Sequence, residues 1–232
     1  MGNCGGHKFG NKPRRSTDLC EVISGKLYIS SSLCADPRFL EEEKIGQCIS
    51  VMPRLPISLK NNNRGIQVRH IPIHDNGDAK IGEHFENAIY WINSFKGKTL
   101  VHCSAGRSRS ATIIIAYLIA KRNLSVRDAY RLLKSKRKII EPNIGFIQRL
   151  LEFEDRLIER EERKRSEKSG GKKRTRSLNF LAEYVIDTRM GGSKQMKALL
   201  GVTVEKFQAA IDACNGDVAK AQLKVIKDAS PQ

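Results

Sequence analysis

Cys103 and Arg109 stand six positions apart in "VHCSAGRSRSAT", between an apolar run that reads as a strand and a second that reads as a helix. A loop that leaves a strand at His102 and opens a helix near Ser110 lies at a helix N-terminus. The backbone N–H groups there have no partner within the helix and can turn toward an anion. Ser104, Ala105 and Gly106 are small enough to let the chain wind tightly, and glycine adopts a left-handed conformation without steric cost. A cysteine facing such a positive pocket is held as the thiolate, the reactive form. The guanidinium of Arg109 matches two oxygens of a phosphate, and the Ser110 hydroxyl is poised to donate to the sulfur. Nucleophile, anion cradle and clamp would then come from one short loop, and the chemistry would be attack of sulfur on phosphorus. The competing reading makes Cys103 a small buried core residue, the common fate of a free cysteine. A bare cysteine-to-arginine spacing recurs by chance. "HCSAGRSRS" between a strand and an apolar helix is far more specific.

Such an attack needs a proton donor for the leaving oxygen, on a separate loop that reaches over the phosphate. Asp75 and Asp78, in the break after "VRHIPIH", are the candidates, and either could instead form an Asx turn. The same acid would then activate water. Arg109 and the backbone N–H groups already neutralise the transferring group, so the chemistry requires no metal. His70 and His74 have no partner at ligand spacing and read as surface or core residues. Asn143 reads as a helix cap with a second option of orienting groups near the loop.

The elements that must hold this loop follow from pattern. "EVISGKLYIS" predicts two short strands around a turn at Ser24-Gly25, and Pro37 to Ile45 predicts a short helix. "QCISVM", "IQVRHIPI" and "KTLVHC" predict buried strands, and Ile81 to Phe95 carries apolar residues at helical spacing. "RSATIIIAYLIAKR" is apolar on nearly every side and predicts a buried helix. Ser125 and Asp128 resemble a capping box, and Pro142-Asn143 opens a helix with Phe146, Leu150, Phe153 and Leu157 inward. Strands alternating with helices predict an α/β domain over residues 21–160, a central, mostly parallel sheet flanked by helices. Residues 1–20 read as a flexible basic arm and residues 161–179 as a charged linker. Residues 180–228 read as a small three-helix bundle broken at Gly201-Val202-Thr203 and Asn215-Gly216-Asp217.

"VHCSAGRSRSAT" resembles the signature of the cysteine-dependent dual-specificity protein phosphatases, in the tyrosine-phosphatase superfamily. "GKLYISSSLCA", "VRHIPIHDN", "AYLI" and "EPNIGFIQRLLEFE" are similar to further segments of that family, so the resemblance spans roughly residues 20–158. It implies that Cys103 is the nucleophile of a thiophosphate intermediate. It implies that Ser104, Ala105, Gly106, Arg107, Ser108 and Arg109 bind the phosphate, that Ser110 assists breakdown, and that His102 tunes the cysteine. Asp75 matches the family's acid, which follows an "IP-x-x-D" strand end; Asp78 is the fallback. No cofactor is implied. The implied substrates are phosphoproteins bearing phosphotyrosine and phosphoserine or phosphothreonine. Ser104 stands where phosphoinositide phosphatases often carry lysine, and Ser-Arg-Ser stands where the RNA triphosphatase branch carries Asn-Arg-Thr. Both branches are thereby disfavoured. A catalytically dead phosphoprotein-binding scaffold is the reading from another class. The family also offers Cys48 as a disulfide partner for Cys103.

The net charge of +17 over 232 residues suits polyanionic partners, or else solvated tails and helix faces. Apolar residues make up 40%, enough for a sizeable core, and the longest apolar run, Ala111 to Ala120, is too short to span a bilayer. No N-terminal stretch resembles a secretory signal, and the six scattered cysteines favour a reducing, cytoplasmic setting. "MGNCGGHKF" resembles an N-myristoylation site at Gly2 with palmitoylation at Cys4, and Lys8, Lys12, Arg14 and Arg15 add a basic patch for an anionic membrane surface. Gly6 departs from the Ser or Thr that such sites prefer. The block "KQMKALLGVTVEKFQAAIDACNGDVAKAQLKVI" resembles ubiquitin-associated three-helix domains, which implies ubiquitin or another protein as partner. "LLGVT" departs from their Met-Gly-Phe/Tyr. Nucleic acid is not favoured.

Overall fold

The computed structural model describes residues 17–166, Phe180, Tyr184, residues 204–218, 220, 221 and 224. Its centre is a five-stranded sheet in the order β1-β2-β5-β3-β4. The strands are β1 (Cys20–Ile23), β2 (Leu27–Ser30), β3 (Ile45–Val51), β4 (Gln67–Ile71) and β5 (Lys98–His102). β1 and β2 form the antiparallel hairpin read from "EVISGKLYIS", turning at Gly25, whose φ is +64°. The remaining neighbours are parallel, as expected of strands joined by crossover helices.

The helices are α1 (Pro37–Glu42), α2 (Ile57–Lys60), α3 (Phe85–Ser94), α4 (Arg109–Arg122), α5 (Val126–Lys136), α6 (Ile144–Ser166) and α7 (Val204–Ala213). Their starts follow local chemistry. Asp36 accepts from the backbone N–H groups of Arg38 and Phe39 ahead of Pro37. Ser125 accepts from the N–H of Asp128 at 3.1 Å and donates to its carboxylate at 2.7 Å, the predicted capping box. α1 stops short of the predicted Ile45 because Lys44 takes a φ of +58° and Ile45 already pairs with Lys98 in the sheet. α6 runs through Ser166, so its last turns occupy the first residues of the expected linker.

Two apolar layers cover the sheet. One, under Tyr28, Phe39, Leu40, Ile45, Cys48 and Leu100, packs α1 and α2. The other is larger and contains α4, buried along its whole length from Ala111 to Ile119, with α3, α5 and α6 around it. Val101 and Cys103 face this layer, whereas Cys48 lies in the opposite one beside Cys34. The sheet itself thus separates Cys48 from Cys103; both are free thiols. β5 lies in the middle of the sheet and feeds α4, the most buried helix. The loop between them therefore opens at the carboxyl ends of the parallel strands, where such sheets bind ligands.

The last residues of the expected arm are tied down: Asp18 forms an ion pair with Arg137 at 2.7 Å. Residues 1–16, with Gly2 and Cys4, lie outside the described residues. So do Met196, Leu199 and Leu200, where the first helix of the expected C-terminal bundle would fall. α7 carries Phe207, Ala210 and Ile211 inward and ends in a turn where Asn215 and Gly216 have φ of +50° and +81°. Asp217 then accepts from the N–H of Lys220 at 3.0 Å, as a helix cap does. Among the described residues, no helix is long and apolar enough to cross a membrane.

Candidate active site

Ser104 to Ser108 form a bowl held from outside by their carbonyl groups. Ser104 accepts from the N–H of Ser32 at 3.1 Å, Arg107 from the N–H of Glu141 at 2.9 Å, and Ser108 from the N–H of Thr112 at 2.9 Å. The carbonyls of Ala105 and Gly106 accept from the guanidinium of Arg137 at 3.3 and 2.9 Å. With every carbonyl of this run engaged outward, the alternate peptide faces turn their N–H groups toward the bowl, the geometry of a backbone anion nest. Gly106 makes the winding feasible. Its φ is +63°, and a Cβ there would stand 2.5 Å from the backbone carbonyl of Ser30.

Cys103 lies at the floor, 1% exposed, and its sulfur accepts from Ser110 Oγ at 3.2 Å. Arg109 is buried beside it. One terminal nitrogen donates to Ser104 Oγ at 3.0 Å, the other to the Ile73 carbonyl at 3.3 Å, and Nε stands 3.5 Å from Asp75 Oδ2. The arginine thus spans the loop from its rim to the segment after β4. His102 is fully buried. Burial pushes its pKa down to about 4, against a smaller opposing pull from the Cys103 backbone, so the ring is neutral near pH 7.

Asp75 reaches the same place from the loop after β4. Its Oδ1 accepts from Ser108 Oγ at 2.6 Å and from Asn143 Nδ2 at 2.9 Å. Asn143 serves both roles raised for it: its Oδ1 accepts from the N–H of Phe146 at 2.9 Å and caps α6. Close backbone contact between Gly77 and Gly145, where a Cβ on Gly145 would overlap the carbonyl of Gly77, seats the acid loop against the start of α6. Asp78 is exposed and lies outside the cleft. A cleft of about 310 Å³ opens here, lined by Asp75, Ala105, Ser108, Asn143 and Ile144 and rimmed by the Arg107–Glu141 ion pair at 2.6 Å. His70 instead bonds the Met52 carbonyl at 2.8 Å, and His74 is exposed.

Residues 27–156 match the family profile of the dual specificity phosphatase catalytic domain, more than half of the chain. The chain belongs to the dual specificity phosphatase family. It is 42% identical over 121 residues to human dual specificity protein phosphatase 6, covering 51% of this chain and 32% of that one. To the Drosophila melanogaster dual specificity protein phosphatase Mpk3 it is 35% identical over 141 residues, covering 59% and 34%. The chain therefore spans about a third of the length of these curated relatives. The crystal structure of DUSP15 superposes with a TM-score of 0.56 at 32% identity, covering 66% of this chain and 97% of that one.

Two residues that brace the bowl of this dual specificity phosphatase escaped the sequence reading. Arg137 is buried and donates to the carbonyls of Ala105, Gly106 and Asp18, and to the Asp18 carboxylate. In sequence it is one of several basic residues in "KSKRK", and nothing there marks it as the buried one. Asp18 lies near the end of a stretch that reads as a tail. Burial pushes its carboxyl up, but the hydrogen bonds from Arg137 and Ser31 outweigh this and hold it below the usual value.

Proposed function

We propose that the protein is a dual-specificity phosphatase that hydrolyses phosphotyrosine and phosphoserine or phosphothreonine in proteins through a cysteinyl-phosphate intermediate. The convergence of Cys103, Arg109 and Asp75 on one bowl, from two separate loops, carries this reading. The substrate phosphate sits in the bowl against the inward N–H groups and the Arg109 guanidinium, in line with Cys103 Sγ. Sulfur attacks phosphorus while Asp75 passes a proton to the leaving oxygen. Water activated by Asp75 then cleaves the S–P bond, and the Ser110 hydroxyl, 3.2 Å from the sulfur, stabilises the departing thiolate. Neutral His102 acts on the cysteine as a dipole rather than as a cation. The scaffold reading has less support, since nucleophile, clamp and acid are all present. Ser104 favours phosphoproteins over inositol lipids.

Two finer assignments belong to the same proposal. The C-terminal helical segment, α7 with the Asn215–Asp217 turn, is read as a ubiquitin-associated-like interaction module whose partner is ubiquitin or another protein. Gly2 and Cys4 are read as acylation sites that bring a cytoplasmic enzyme to an anionic membrane, one chain alone binding too weakly.

The deciding experiment is hydrolysis of para-nitrophenyl phosphate and of phosphopeptides by the full chain, with Cys103→Ser as control. Turnover in wild type, loss of at least about a thousandfold in the variant, and capture of phosphoproteins by Cys103→Ser are expected. Full activity in Cys103→Ser would end the assignment, and capture of an inositol lipid instead would overturn the substrate class.

A further inference from the structure

The segment beyond the phosphatase domain does not stand apart from the site. Phe180 and Tyr184 pack around Tyr130 of α5, with ring centroids 5.6 and 5.3 Å away, and Tyr184 is 3% exposed. The Tyr184 hydroxyl donates to the carbonyl of Pro142. Gln148 Nε2 of α6 donates to the Gly216 carbonyl at 2.7 Å, a second latch to the turn after α7. Phe207 and Ile211 of α7 belong to the same continuous apolar core as α4 and α6.

Pro142 is the residue before Asn143, and Asn143 is the junction of the acid's support. Its side chain donates to Asp75 at 2.9 Å, and its backbone N–H donates to Ser108 Oγ at 3.2 Å, which in turn donates to Asp75 at 2.6 Å. The N–H of Asn143 and the carbonyl of Pro142 belong to one planar peptide group. The bond from Tyr184 therefore constrains the plane that aims Asn143 at both Ser108 and Asp75. Tyr184 also lines the wall of the cleft that Asp75 faces.

We propose that Tyr184 is a positioning residue for the catalytic acid, and that Phe180 and Tyr184, packed in cis on α5, complete the active site. This inference rests on the reading of Asp75 as proton donor. Held by Tyr184, the Pro142-Asn143 peptide keeps the Asp75 carboxyl over the bowl, at the oxygen that leaves. Without the hydroxyl, the peptide plane rocks and the acid loses its aim, while the bowl, anchored by Arg137 and Ser32, keeps its shape.

The test turns on leaving-group acidity. General acid assistance matters most when the leaving group is a poor one, such as phenol or a tyrosyl side chain, and least for the acidic para-nitrophenol. In the full chain, Asp75→Asn should reduce kcat/KM, which reports only the steps up to departure of the leaving group, far more for phenyl phosphate than for para-nitrophenyl phosphate. Tyr184→Phe, which keeps the ring and removes one hydrogen bond, should reduce kcat/KM for phenyl phosphate by about five- to tenfold, with a smaller loss for para-nitrophenyl phosphate. In the Asp75→Asn background, Tyr184→Phe should cost nothing further. Tyr130→Leu, which unseats Tyr184 from behind, should give the same leaving-group pattern. Equal losses of Tyr184→Phe on both substrates, or an undiminished effect in the Asp75→Asn background, would refute the inference and leave the acid assignment standing. An Asp75→Asn enzyme with no leaving-group dependence would remove both.

Discussion

Replacing Gly106 by alanine asks whether the loop after β5 is wedged against the sheet. Gly106 and Gly25 share nearly the same backbone, with φ of +63° and +64°, but differ in surroundings. A Cβ at Gly25 would meet nothing within 4 Å, whereas one at Gly106 would lie 2.5 Å from the Ser30 carbonyl carbon and oxygen and 2.7 Å from the Ser31 nitrogen. Those atoms are backbone at the end of β2, next to central β5, and have no side-chain freedom with which to move aside. Both alanines pay the left-handed conformation, about 1–2 kcal/mol, and both gain equally from a stiffer unfolded chain. Gly106→Ala alone adds overpacking, about 1–3 kcal/mol. Subtracting one variant from the other cancels the shared terms. Gly106→Ala should therefore unfold at lower urea than Gly25→Ala by that margin, equivalent to a Tm gap of roughly 3–10 °C for a chain of this size. Turnover of para-nitrophenyl phosphate should fall with it, because relief of the clash must displace the bowl. Equal unfolding midpoints together with equal turnover would refute the wedge and, with it, the account of how the N–H groups are aimed.

Two further outcomes follow from buried charge. His102 titrates at about 4 in the folded chain, against about 6.5 for an imidazole in water. The unfolded chain thus takes up the proton first, and stability should fall as pH drops from about 6.5 to about 4, by on the order of 3 kcal/mol. His102→Asn should flatten that slope in urea titrations; an unchanged slope would show that His102 is not its source. Arg137→Met removes the donor to three carbonyls and leaves the half-buried Asp18 carboxylate without its cation, though still bonded to the N–H of Ser31. It should destabilise the chain by about 3–5 kcal/mol, and a loss below about 1 kcal/mol would refute the clamp. Because the Asp18 carboxyl is lowered, the pair's contribution holds above the usual carboxylate range and disappears as acid protonates it.

The sequence by itself determined most of the elements and the strand-loop-helix form around Cys103. Strand and helix periodicity are local properties, as are the Ser125–Asp128 box and the Gly25 turn, and each formed where its neighbours dictate. Cys103, Ser110 and Arg109 lie within one strand-loop-helix unit, so their meeting is a consequence of chain connectivity. Asp75 could be proposed because "IPIHD" resembles the family's "IP-x-x-D" strand end, whereas spacing alone left Asp78 open. What only the tertiary structure decided is the outside of the bowl. Arg137 and Asp18 are 119 positions apart, and their pairing depends on β1 and α5 lying side by side. No sequence pattern marks one basic residue of "KSKRK" as buried, because burial is a property of the packed neighbours. Cys48 and Cys103 were separated by sheet face, which follows from register and not from residue type. Tyr184 reaches Pro142 across a charged stretch that reads as a spacer, since the packing that anchors it lies on α5. Short-range order was legible because backbone sterics and capping act within a few residues. The support of the acid and of the phosphate bowl was not, because it comes from groups brought together only when the chain closes on itself.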